Sequence, residues 1–290
     1  MLAVALALAA AMFYGAADFC GGLATRRSPA LAVVVWSQAV GLVVLIAALP
    51  VVPGVLRAGD VGWGLACGIA GAFAVGLLYR GLAIGVMGVV SPITAVLAAA
   101  IPVAFAIARG DRPAPLALTG IALALVAVLL VSAATPAATG DDAPLARVER
   151  PHRFPPGIPE AIGAGIAFGF FFIAIAQTHR DSGLYPLVGT RITSLTVLAL
   201  GAVVLRKSLR VSRPGLRTIV VAGALDMAAN VFYVVAAHAG ALSIVAVLTS
   251  LYPAGTVALA AVVLHERMVR LQWTGVAIAF AGVICISLAH

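Results

Sequence analysis

Apolar runs of about 20 residues, the length that carries an α-helix across a hydrocarbon core roughly 30 Å thick, recur ten times along this 290-residue chain. They fall near 2–24, 30–50, 61–83, 87–108, 114–134, 158–178, 185–205, 215–237, 242–264 and 271–289. Polar residues collect between them in short punctuations, such as RRSP after the first run and GDRP after the fourth. One interruption is longer: 135–157, TPAATGDDAPLARVERPHRFPPG, has no apolar face to bury and reads as a flexible tether. The pattern predicts an all-α integral membrane protein with ten transmembrane helices, five in a unit at 1–134 and five in a unit at 158–290.

The two units repeat one another. The segment YRGLAIGVMGVVSPI from Tyr79 answers YVVAAHAGALSIVAV from Tyr233; Gly85 answers Gly240, Asp111-Arg112 answers Glu266-Arg267, Gly120 answers Gly275, Gly15 answers Gly169 and Ser28 answers Ser182, all at separations of 154 or 155. Two similar units with an odd number of spans each must lie in opposite orientations across the bilayer. That predicts an inverted repeat about an axis in the membrane plane, the plan of many secondary carriers, with the substrate site where the halves meet.

Composition agrees: 63% of residues are hydrophobic, 10% are charged, and the mean hydropathy is +1.15. Residues 1–24 exceed the apolar length of a cleavable signal and have no positive segment before them, so they read as the first span. The net charge of +8 does not form a stripe for nucleic acid; the basic residues sit at the ends of the apolar runs. Thirteen of them follow the odd-numbered spans and four follow the even-numbered ones, which by the positive-inside rule places both termini on the outer face. The three cysteines stand singly and no metal-ligand spacing occurs. No nucleotide-binding or hydrolytic motif is present either, so the expected partners are the lipid bilayer, a small-molecule solute and protons as coupling ion, with no enzyme activity and no cofactor.

An ionisable group at bilayer depth costs at least about 2.5–3.5 kcal/mol and needs a reason. Asp226, nine residues beyond Arg217, falls near the middle of the eighth span, and Asn230 and Tyr233 follow at i+4 and i+7 on its face. Asp18 lies in the first span with Tyr14 one turn earlier, near enough to one interface that its structural alternative is to snorkel or pair with Arg26 or Arg27, and Arg191 lies inside the seventh. These groups suit recognition of an ammonium or a zwitterion, or proton coupling; the structural alternative is an Arg191–Asp226 pair that joins helices. Further cavity candidates are Trp36, Gln38, Tyr79, Phe168, Phe172, Gln177 and Tyr252. Pro92, Pro102 and Pro253 remove backbone donors within the fourth and ninth spans and are candidate kinks or hinges. Glycines at Gly64, Gly68 and Gly71, and at Gly165 and Gly169, have the spacing of close helix packing.

The repeated block, with Tyr233, mid-helix Pro253, the HER sequence at 265–267 and the glycine-punctuated run from Gly275 to Gly282, resembles the EamA-type unit of the drug/metabolite transporter superfamily. The first copy departs from it, with Ala98 where Pro253 falls and Asp111 where glutamate is usual, and Arg191 has Ser37 as its counterpart. The resemblance implies an inner-membrane secondary carrier, an exporter of a small organic metabolite such as an amino acid, working by alternating access around a cavity lined by helices 1, 3, 4, 6, 8 and 9. It also implies cytoplasmic termini, opposite to the charge count, which we follow here. Two rivals make different predictions: proton-coupled efflux of cationic drug-like compounds needs a titrating carboxylate without a free positive charge, and a non-transporting scaffold or sensor needs a packed interior.

Overall fold

The computed structural model describes residues 1–25, 28–50, 52, 54–84, 87–133, 156–263 and 269–288. Eleven α-helices occur among them: α1 Leu2–Thr25, α2 Ala30–Ala48, α3 Ala58–Ile84, α4 Met87–Ala108, α5 Pro115–Ala133, α6 Ile158–Ala176, α7 Tyr185–Val204, α8 Arg213–Ala239, α9 Leu242–Thr249, α10 Tyr252–Val263 and α11 Arg270–Leu288. A single 3-10 turn, Arg180–Ser182, links α6 to α7. The fold is an all-α, multi-pass bundle. Six helices are long and apolar enough to cross a membrane: Leu2–Thr25, Ala30–Ala48, Ala58–Leu78, Ile158–Ala176, Tyr185–Val204 and Gly215–Ala239. Shorter apolar helical stretches lie at Ile93–Ala108, Pro115–Leu130, Leu242–Thr256 and Arg270–Ile286.

Proline marks several helix starts, where its missing N–H would have had no partner anyway. α5 begins on Pro115, and α6, α7 and α8 carry proline at their first or second position. Ser212 caps α8 by accepting the N–H of Gly215 at 3.3 Å. Within helices proline acts differently in the two units. α4 is continuous through Pro92 and Pro102, whereas the ninth apolar run is cut at Ser250 and Leu251, just ahead of the buried Pro253. Proline cannot donate to the carbonyl one turn earlier. The cut is closed by Ser250 N to Ala246 O at 3.0 Å and Ala254 N to Leu251 O at 2.9 Å.

The closest helix neighbours belong to different units. α1 packs on α8 and α3 on α6; α2 packs on α8 and α3 on α7; α1 packs on α9 and α10, and α6 on α4; α5 and α11 pair with each other. Glycines permit the approach. A Cβ at Gly15 would stand 2.6 Å from the Tyr252 carbonyl oxygen, and its counterpart Gly169 would meet Ile101 Cβ at 2.7 Å. Gly64 and Gly68 lie against α7, where added Cβ atoms would come within 2.4 Å of Pro186 O and 2.5 Å of Thr193 Cβ. The buried core fills the end of the bundle where the chain begins and ends, with Val4, Ala7 and Ala11 of α1, Ile175 of α6, Tyr233 and Val234 of α8 and Ile244–Leu248 of α9. Residues 265–267, Gly85 and most of the predicted tether lie outside the described residues.

Candidate functional site

Among the described residues, the opposite end, after α1 and before α6, is not filled. A cavity of about 110 Å³ enters there and reaches the middle of the bundle. Tyr14, Asp18 and Gly21 of α1, Ser37 and Gln38 of α2, Gly71 and Val75 of α3, and Ala98 of α4 line it from the first unit. From the second come Phe168, Phe171 and Phe172 of α6, Thr190, Arg191 and Ser194 of α7, Asp226 and Asn230 of α8, and Tyr252 at the start of α10. The packed interior expected of a scaffold is therefore not found.

The charged groups form one network with a spare member. Arg191, 4% exposed, donates through Nη2 to Asp226 Oδ2 and through Nη1 to Gln38 Oε1; Ser194 Oγ also donates to Gln38 Oε1, at 3.4 Å. Asp226 is 34% exposed, so its outer face meets the cavity. Asn230 Nδ2 donates to the Asp226 backbone carbonyl at 2.7 Å. Glycines again set the geometry: α8 approaches α2 at Gly223, where a Cβ would lie 2.4 Å from Ser37 O, and the guanidinium lies against Gly41. Asp18 makes no ion pair or hydrogen bond among the described residues, although it lines the same space. With Arg191 matched by Asp226, the cavity carries one carboxylate in excess among the described residues. Aromatic faces border it: Phe168 and Phe172 stack at 6.4 Å, and Tyr14 meets Phe172 edge-on at 6.4 Å. Such faces favour a cation further.

Of the sequence candidates, Asp226, Asn230, Arg191, Asp18, Tyr14, Gln38, Phe168, Phe172 and Tyr252 come together at this cavity. Three others do not. Tyr233 is 1% exposed and donates its hydroxyl to Phe172 O at 3.2 Å, so it underlies the cavity as its floor, with ring centroids 4.5 Å apart. Trp36 is 46% exposed on the other face of α2 and donates to Leu209 O at 3.0 Å. Gln177 donates to Ile173 O at 3.5 Å beyond the end of α6. The side chain of Tyr79 lies outside the described residues. The sequence reading also left out α2 and α7 as walls, and missed Thr190, Ser194 and Phe171. The spacing of 190, 191 and 194 on one helical face was the signal that could have found the first two. Pro253 stands immediately beside Tyr252 at the helix break, while Pro92 and Pro102 interrupt nothing.

The profile of the EamA-like transporter family matches residues 1–133 and 155–288. The chain belongs to that family. It is thus a multi-pass membrane transport protein of the drug/metabolite transporter type, and not an enzyme. No curated protein sequence matches it significantly. Among solved structures, one crystal structure of a protein is similar with a TM-score of 0.77 at 17% identity, covering 99% of this chain and 96% of that one. At that identity the likeness concerns the fold alone. Among the described residues no group of three or more His, Cys, Asp or Glu side chains could hold a metal ion.

Proposed function

We propose that this EamA-family transporter is a secondary carrier of ten spans, arranged as two inverted five-helix units at 1–134 and 158–290 joined by 135–157. It moves a small organic metabolite bearing an ammonium group outward by alternating access. The exchanged helix pairs support the inverted arrangement, since α1 with α8 and α3 with α6 are the same contact under exchange of units. The observation that carries the substrate class is the unequal pairing of charges: Arg191 is engaged by Asp226 and Gln38, and Asp18 is left without a partner among the described residues. Asp18 anchors the ammonium, and the aromatic faces of Tyr14, Phe168, Phe172 and Tyr252 surround it. An amino acid fits if its carboxylate shares Arg191 with Asp226.

A second reading, proton-coupled efflux of larger organic cations, is favoured by the same spare carboxylate, because substrate and proton would compete for Asp18. Purified protein in liposomes, offered labelled amino acids, monoamines and quaternary cations with and without an imposed pH gradient, separates the two. Transport of an amino acid or monoamine without a gradient supports the first; transport of quaternary cations abolished by an uncoupler supports the second. If Asp18→Asn, Asp226→Asn and Arg191→Ala all transport like the unsubstituted protein, the anchor assignment is wrong.

A further inference from the structure

The end of the bundle that holds both chain termini contains a second polar cluster, separate from the cavity. Asp60 sits in the first turn of α3 with its side chain 2% exposed. Among the described residues, every hydrogen bond to its carboxylate comes from the α6–α7 connection in the other unit: the Ser182 hydroxyl, the His179 backbone N–H at 3.2 Å and His179 Nδ1 at 3.0 Å. The flanking chain repeats the attachment. Val55 N donates to Asp181 O at 2.8 Å, Arg57 pairs with Asp181, and a Cβ at Gly54 would stand 2.7 Å from Ser182 O. A fourth tie at the same end joins Ser243 of α9 to Asp111 at 2.5 Å.

The corresponding place at the cavity end is built differently. Ser28, the counterpart of Ser182 at a separation of 154, meets Ser212 beside the start of α8, with Oγ atoms 3.2 Å apart and Ser212 N donating to Ser28 Oγ at 3.1 Å. The other ties across that end among the described residues include Trp36 to Leu209 O, Thr94 Oγ1 donating to Ala161 O at 3.2 Å, and an Arg80–Glu160 pair at 3.3 Å whose arginine is 71% exposed. Exposed pairs contribute little. Hydrogen bonds to a buried carboxylate are roughly twice as strong as neutral ones, and losing them leaves a desolvated charge.

We propose that Asp60, with Ser182 and His179, is the latch that holds the carrier closed at the termini end, and that its neutral counterpart at Ser28 and Ser212 leaves the cavity end the easier one to open. The latch is a positioning device: it touches no substrate, and sets which face the cavity meets at rest. The proposal rests on alternating access between the two ends, though not on the choice of substrate or anchor.

The test is a distance measurement across the latch in lipid nanodiscs. Spin labels are placed at Leu56→Cys and Arg180→Cys, both exposed, in a background with Cys20, Cys67 and Cys285 replaced by serine. The parent protein gives one short distance. Asp60→Asn raises the ratio of a longer-distance population to the short one by roughly tenfold or more, the effect of losing a charge-assisted hydrogen bond; Ser182→Ala moves it the same way by less. Ser28→Ala with Ser212→Ala leaves the distribution unchanged. Should Asp60→Asn fail to give a monodisperse protein, Ser182→Ala decides alone. A single parental distance in every folded latch variant overturns the proposal, whatever the liposome assays say about Asp18.

Discussion

Replacing Asp226 with asparagine strands a positive charge. Arg191 is 4% exposed, keeps only Gln38 Oε1 as a strong partner, and already has its Nε without a hydrogen bond among the described residues. Removing one member of a buried pair typically costs about 3–5 kcal/mol. Asp226 is 34% exposed to the cavity, so screening trims that to about 2 kcal/mol. The reverse change is milder: Arg191→Met leaves an aspartate that cavity water can solvate, for about 1 kcal/mol. Scaled at roughly 2–4 °C per kcal/mol, Asp226→Asn lowers the melting temperature by roughly 4–8 °C and Arg191→Met by about half of that. The double variant, with no charge left to strand, melts above Asp226→Asn alone. Thermal unfolding of detergent-purified protein, followed by intrinsic fluorescence, measures all three. A larger loss for Arg191→Met than for Asp226→Asn, or a double variant less stable than either single one, refutes the reasoning from unequal burial.

Other outcomes follow from the same geometry. Gly15→Leu drives a side chain into the α10 backbone and should abolish recovery of monodisperse protein, while Gly22→Leu, which meets nothing within 4 Å, should be recovered like the parent. Tyr233→Phe removes the bond to Phe172 O and lowers stability by about 1 kcal/mol; substrate affinity in liposomes should change less than twofold, because the hydroxyl lies beneath the cavity. On the orientation expected from the charge count, with the termini outside, a membrane-impermeant maleimide added to intact cells should label cysteine at Leu56 and spare cysteine at Leu205.

Hydropathy located the helices well because lipid imposes a length and an apolar composition on each span independently of its neighbours. Polar residues at depth exposed most of the cavity for a related reason: Asp18, Arg191 and Asp226 are too costly to face lipid. Direction within a helix was harder. Tyr233 does share a face with Asp226, but seven residues are about 10 Å of rise, which carries it past the cavity floor. On α2 the residues facing the cavity are 33, 34, 37 and 38, leaving Trp36 on the other side; its aromatic character suggested a site where periodicity did not. The latch was illegible. Asp60 reads as an ordinary acid in a first helical turn, and its partners lie about 120 residues away in the chain.

The ninth apolar run is severed at Ser250 and Leu251, while its counterpart α4 is whole. Under the alternating access proposed above, one interrupted helix and one continuous one at corresponding places make the two end states unequal. Exchanging the roles of the two units would require α4 to bend where α9 and α10 already part, so the two faces differ in energy before any gradient is applied. A bias towards one resting face would then be written partly into the backbone, by a single proline that the duplication did not preserve.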